Sequence, residues 1–139
     1  ALGTRPHTHS GAVSLAAVEI AELLGSRYVA VFTESGDSLR RVSRLRSSVP
    51  TLAFTPSETV RNRLSLVWGA HTFLVASVKH TDEMMHQVDE IVLAEGLAKQ
   101  GEEVVVVAGT PPGIPGSTNS LRVHRVGDAV NGAAPGYKS

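Results

Sequence analysis

The stretch YVAVFTESGDSLRRVSRLR, residues 28–46, decides the fold. Its first five residues are short, apolar and β-branched or aromatic, with no polar alternation, which reads as a strand buried on both faces. Six residues carrying hydroxyls, carboxylates and one glycine follow. Then Leu39, Val42 and Leu45 recur at helical spacing, with Arg40, Arg41 and Arg44 turned outward. A buried strand running through a tight turn into an amphipathic helix is half of a βαβ unit, and such units build parallel sheets.

The alternation extends both ways. Upstream, SGAVSLAAVEIAELLG (10–25) places Val13, Ala16, Ala17, Ile20, Leu23 and Leu24 on one helical stripe, between Ser10 as N-cap and Gly25 as a stop. Downstream, TLAF (51–54) reads as a second strand and PSETVRNRLSLV (56–67) as a helix with Pro56 near its start. HTFLVAS (71–77) is a third strand. TDEMMHQVDEIVLAEGLAKQG (81–101) reads as the longest helix, opening on Thr81 and ending at Gly101. EEVVVVA (102–108) is a fourth strand and SLRVHRV (120–126) a fifth. In the last, Leu121, Val123 and Val126 alternate with Arg122, His124 and Arg125, the pattern of a half-exposed edge. Only a loop joins strands four and five, too short for a parallel crossover, so strand five is expected to be antiparallel. The expected fold is α/β: a three-layer sandwich whose five-stranded sheet is mostly parallel with an antiparallel edge strand. The domain is placed at residues 10–127, with a linker at 1–9 and a disordered tail at 128–139.

A chain of 139 residues with 42% hydrophobic content can bury one continuous core. Its formal net charge of zero provides no overall field toward nucleic acid or membrane. Zero cysteines exclude disulfides, thiolate metal sites and a cysteine nucleophile. No apolar run is long enough to span a bilayer, and the N-terminus ALGTRPHTHSG lacks a signal peptide's apolar centre. The chain begins without methionine, as the cut end of a longer protein would. A cytoplasmic location is expected.

In open α/β sheets, ligands bind beyond the carboxyl ends of the strands, where strand order reverses. Three loops reach that edge: TESGDS (33–38), SVKHTDE (77–83) and GTPPGIPGSTN (109–119). In the first, Thr33, Ser35 and Ser38 offer hydroxyls and Gly36 lets the backbone approach a ligand, while the following helix presents N–H groups and a positive dipole end. That combination describes a phosphate cradle without lysine. A serine-rich helix cap has the same composition, so the pattern alone leaves both readings open. Glu34 and Asp37 oppose an anion unless compensated, and Arg40 and Arg41 lie near enough to do so. Lys79, in the second loop, is a further ligand candidate. The third loop lacks the Gly-Lys-Ser/Thr ending of a nucleotide P-loop and does not lead into a helix. Its prolines stiffen the backbone, Gly113 and Gly116 are hinges, and Ser117, Thr118 and Asn119 can donate to a ligand; a rigid surface connection is the alternative. His7 and His9 have no identifiable third metal ligand, and the remaining histidines are scattered, so no metal site is expected. No Gly-x-Ser-x-Gly elbow supports a hydrolase.

The runs SGAVSLAAVEIAELLGSRYVAVFTESGDSLRRVSRLRSSVPTLAFTP (10–56), RNRLSLVWGAHTFLV (61–75) and GEEVVVVAGTPPGIPGSTNSLRVHRVG (101–127) closely resemble, in order, the C-terminal domain of bacterial-type pyruvate kinase. TESGD and the loop ending PGSTN are specific in combination. The resemblance implies a domain that carries an allosteric effector site and one subunit interface of a homotetramer. It implies that Thr33, Ser35, Gly36, Ser38 and Arg40 hold the effector phosphate, and that the loop with Gly113, Gly116, Ser117 and Thr118 forms a lid over the sugar. Members transfer phosphate from phosphoenolpyruvate to ADP in glycolysis, using Mg²⁺ and K⁺ in a separate β/α barrel. No barrel fits in this chain, so it is expected to be catalytically silent and without a cofactor. The implied partners are a phosphorylated effector, the barrel domain and homo-oligomer partners, with neither nucleic acid nor membrane.

The chain departs from relatives activated by fructose 1,6-bisphosphate. Asp37 stands where those often have a basic residue, and Ser77 and Met84 stand where eukaryotic members add a Trp and an Arg. A monophosphate, such as AMP or a hexose or pentose monophosphate, is therefore expected in place of the bisphosphate. Two further readings stay open: a free-standing phosphometabolite-binding or dimerisation module, and a small enzyme using the hydroxyl cluster. The second lacks a general base beside those hydroxyls.

Overall fold

The computed structural model describes residues 9–68, 71–109 and 120–131. The elements are α1 (His9–Leu24), β1 (Tyr28–Phe32), α2 (Asp37–Arg44), β2 (Thr51–Thr55), α3 (Glu58–Trp68), β3 (His71–Leu74), α4 (Thr81–Ala94), β4 (Glu103–Ala108), β5 (Ser120–Arg125) and α5 (Asp128–Asn131). They form one sheet in the order β3-β2-β1-β4-β5. β1 pairs in parallel with β2 and β4, and β2 with β3. β5 runs antiparallel to β4, with Val105 opposite Val123 and Ala108 opposite Ser120. The expected α/β architecture, with its antiparallel edge strand, is the one observed.

The absence of polar alternation in β1 and β4 has a direct cause, because both faces of each strand are covered. Val29, Val31, Val105 and Val107 pack on Ala17, Val18 and Ala21 of α1 and Val42 of α2. The intervening residues Ala30, Val104 and Val106 face Met84, Met85, Val88 and Val92 of α4. Leu39, Ala53, Val60 and Leu64 join α2, β2 and α3 in a third cluster. On the α4 face, Phe32, Phe54 and Phe73 stack across β1, β2 and β3, with ring centroids 5.0 and 5.6 Å apart. Rings at such spacing add about 0.5–1.5 kcal/mol per pair beyond their burial.

Several boundaries differ from expectation. α4 stops at Ala94, well before Gly101. Gly96 adopts φ 68°, its N–H donates to Leu93 O at 3.2 Å, and the Leu97 N–H donates to Val92 O at 2.9 Å. This pair of bonds is a Schellman stop. Ala98 returns to the core beyond it, which is why the apolar spacing looked continuous. α2 begins at Asp37, within the hydroxyl-rich stretch, because Ser35 and Gly36 alone form the turn before it. β3 ends at Leu74, since the last bond to its single neighbour is Val75 N–H to Thr55 O at 3.0 Å. In β5 the expected exposure is inverted at two positions: Val123 is exposed and His124 is buried. The tail expected to be disordered from 128 begins instead as a helical turn, Asp128–Asn131, whose Ala129 and Val130 N–H groups donate to Asp89 Oδ2 at 2.8 and 3.2 Å. Residues 132–139 lie outside the described residues. α1 starts at His9, the last residue assigned to the linker, and residues 1–8 also lie outside.

Arg46, just past the C-cap Leu45 of α2, has φ 50°, a left-handed position in which a side chain is strained. Replacing Arg46 with glycine should raise unfolding stability by about 0.5–1 kcal/mol. Chemical denaturation would register this as a higher midpoint at unchanged m-value, and a lower midpoint would contradict it.

Candidate functional site

The strand order determines where a ligand can enter. The crossovers through α2 and α3 lie on the face that α1 shares, whereas α4 returns across the opposite face to deliver β4 beside β1. Order reverses between β1 and β4, so their carboxyl ends open a crevice at Thr33 and Gly109.

Thr33 follows β1 directly. Its N–H donates to Phe54 O at 2.9 Å, which continues the pairing with β2, and its Oγ1 accepts the Gly36 N–H at 2.7 Å. Ser35 Oγ accepts the Asp37 N–H at 3.3 Å. Gly36 is the N-cap of α2 at φ 97° and has no side chain of its own to cap the helix. The first intrahelical bond, Arg40 N–H to Gly36 O, is 3.1 Å long. The loop is thus wound onto its own hydroxyl oxygens. An oxygen that accepts in this way still has its own proton to donate. Thr33, Gly36 and Ser38 are buried, and Ser35 is partly so.

The carboxylate of Asp37 is bound to the Arg40 guanidinium on the same helix. That hydrogen bond holds its carboxyl below the usual range, against partial desolvation and with help from the Ser35 hydroxyl. Asp37 is therefore ionised at neutral pH, and Arg40 is engaged by it.

Thr33, Ser35, Gly36, Ser38 and Arg40 come together in one loop and helix turn. Lys79 does not join them. It is exposed beyond β3, an edge strand separated from β1 by β2, and its N–H donates to Glu83 Oε1 at 3.3 Å. Two strand spacings amount to roughly 10 Å. The lid residues Gly113, Gly116, Ser117 and Thr118 lie outside the described residues.

One cation at the loop escaped the sequence reading. The Arg63 guanidinium, from α3, donates to the Ser35 carbonyl oxygen. Leu64 beside it bounds the turn, and a Cβ on Gly36 would sit 3.1 Å from Leu64 Cδ2. No local pattern marks Arg63, since its link to the loop spans 28 residues. Among the described residues no group of three or more His, Asp or Glu side chains is placed to hold a metal. No described helix is long and apolar enough to cross a membrane.

Comparison with known proteins gives this geometry a family. Residues 11–124 match the family described as pyruvate kinase, alpha/beta domain. The chain is 50% identical over 123 residues to pyruvate kinase of Corynebacterium glutamicum, covering 88% of this chain and 26% of that protein. It is 46% identical over 123 residues to the Mycobacterium tuberculosis enzyme, with the same shares covered. The chain thus spans about a quarter of the length of these curated relatives. A crystal structure of a Cryptosporidium parvum pyruvate kinase superposes with a TM-score of 0.78 at 23% identity, over 88% of this chain and 24% of that one, a likeness of fold. The chain belongs to the pyruvate kinase family, of which it is the C-terminal alpha/beta domain.

Proposed function

We propose that this domain is the regulatory and oligomerisation part of a cytoplasmic glycolytic pyruvate kinase, and that it binds a phosphorylated effector at Thr33–Ser38. The observation that carries this reading is the double use of Thr33 and Ser35. Their oxygens accept the loop's own N–H groups at 2.7 and 3.3 Å, so their hydroxyl protons are free of that task and the loop is organised before a ligand arrives. The dipole end of α2 adds favourable potential. Because Asp37 neutralises Arg40, the loop supplies little net charge, which favours a monophosphate over a bisphosphate.

Transfer of phosphate from phosphoenolpyruvate to ADP, with Mg²⁺ and K⁺, would belong to a barrel domain outside this chain. The chain's own part is to bind and to bias. Effector phosphate would draw the 33–38 loop against the 109–119 segment, and this ordering would shift how subunits pack, a coupling of typically about 1–3 kcal/mol. β5, which among the described residues pairs only with β4, offers an edge for a second copy.

Calorimetric titration with AMP, glucose 6-phosphate, ribose 5-phosphate and fructose 1,6-bisphosphate, against inorganic phosphate, tests the reading. A monophosphate should bind saturably, and Thr33→Val and Ser38→Ala should each weaken it at least about tenfold, the loss of one hydrogen bond to a charged group. Melting curves of both variants would separate lost binding from lost folding. Tight binding of the bisphosphate alone would sink the charge argument, and silence from all four ligands would leave the loop as a helix cap.

A further inference from the structure

We propose that the outward face of α2 is a second anion site, built for the phosphoryl group of a small phosphate monoester, adjoining the Thr33–Ser38 loop at Asp37 but distinct from its hydroxyl cradle of Thr33, Ser35 and Ser38. Asp37, Arg40, Arg41 and Arg44 fall at helical positions i, i+3, i+4 and i+7, which stacks them on one face. Among the described residues, these four line a depression of about 470 Å³. That volume is within the range of small-molecule sites. Three guanidinium groups meet one carboxylate there, and the carboxylate is already bound to Arg40.

Arg41 and Arg44 are left over. Neither makes a hydrogen bond or ion pair among the described residues, and Arg41 Nη1 is buried without a partner. A charged N–H group out of water with nothing to donate to is an uncommon and unfavourable arrangement. Repulsion between arginines one turn apart adds to it. An oxyanion in the depression would relieve both. Arginine forks match tetrahedral oxyanions in bidentate fashion, and a phosphate monoester near neutral pH carries about −1.5 to −2 charges. That is close to the surplus of two positive charges on this face. Among the described residues the lining has no aromatic or aliphatic wall, so recognition rests on the phosphoryl group while the remainder of the ligand projects outward.

The test uses the 139-residue chain with inorganic phosphate, and with acetate at matched ionic strength, followed by amide chemical shifts. Phosphate should move the Arg40–Arg44 amides saturably, and acetate should not. In the double variant Arg41→Gln, Arg44→Gln these shifts should need at least about tenfold more phosphate. In Thr33→Val they should persist unchanged, which separates this site from the loop. Shifts confined to residues 33–38 would overturn the second site while leaving the loop reading intact. Shifts on α2 that survive the double variant, or that acetate reproduces, would equally overturn it. Arg41→Lys, which keeps the charge and loses the fork, should recover only part of the binding.

Discussion

Asp89→Ala should lower the unfolding free energy by about 3–5 kcal/mol, because it breaks a fully buried charged network and leaves its donors unpaired. Asp89 lies in the middle of α4 with no exposed surface. Its Oδ1 accepts from His124 Nε2 at 2.7 Å, and its Oδ2 accepts the backbone N–H groups of Ala129 and Val130 at 2.8 and 3.2 Å. One carboxylate therefore ties α4 to β5 and starts α5. Against a typical domain stability of 5–15 kcal/mol, such a loss is a large fraction. Asp89→Asn keeps the shape and one acceptor oxygen for three donors, so it should cost less, about 1–3 kcal/mol. Urea denaturation at pH 7 measures both. Hydrogen exchange should show Ala129 and Val130 losing protection before the sheet does. A loss under 1 kcal/mol for the alanine variant would mean that water or rearrangement replaces the network.

The same residue makes an acid limb in the stability profile. Burial alone pushes the Asp89 carboxyl up, but the His124 hydrogen bond, the Gly127 and Val130 backbone N–H groups and the charge of His124 together outweigh it and hold the carboxyl below the usual aspartate range. A carboxyl whose folded pKa is depressed stabilises the fold fully above the unfolded pKa. The contribution is lost as pH falls through the folded value. Melting temperature should therefore drop below about pH 4, with a shallower acid slope in Asp89→Asn.

What could be read from the chain, and what could not, divides along sequence distance. β1 and β4 were legible because full burial on both faces removes polar alternation, as Val104, Val105, Val106 and Val107 show. The antiparallel β5 followed from the shortness of its connection. The site loop was legible as well, since a hydroxyl-rich turn between strand and helix is a local pattern. Three features were hidden. His124 looked like a solvent-facing member of an edge strand until Asp89, 35 residues earlier, supplied the partner that allows its burial. Arg63 reaches the loop from another helix. The end of α4 depends on the left-handed turn at Gly96, while Leu97 and Ala98 continue an apolar spacing that mimics further helix. In each case the deciding fact is a contact or a dihedral angle, and composition encodes neither.

Gly36→Ala should cost about 2–3 kcal/mol, whereas Gly96→Ala should cost about 1 kcal/mol, although both glycines have positive φ. The difference is in what surrounds them. A Cβ at Gly96, with φ 68°, meets nothing within 4 Å, so only backbone strain is incurred. A Cβ at Gly36, with φ 97°, would lie 3.1 Å from Leu64 Cδ2 and 3.4 Å from Arg63 Nη2. Leu64 is almost fully buried against Leu39, Ala53 and Val60, so it has little room to give way. In a Leu64→Ala background the Gly36 substitution should therefore lose about 1 kcal/mol of its cost, a coupling that a double-mutant cycle isolates. The same wedge predicts function. If the loop must hold Thr33 and Ser35 against their N–H donors to receive a phosphate, Gly36→Ala should weaken effector binding at least about tenfold while Gly96→Ala leaves it unchanged. Equal stability losses at the two glycines would show that α3 yields and does not brace the turn. Equal binding in both variants would show that the loop's shape is not what the ligand reads.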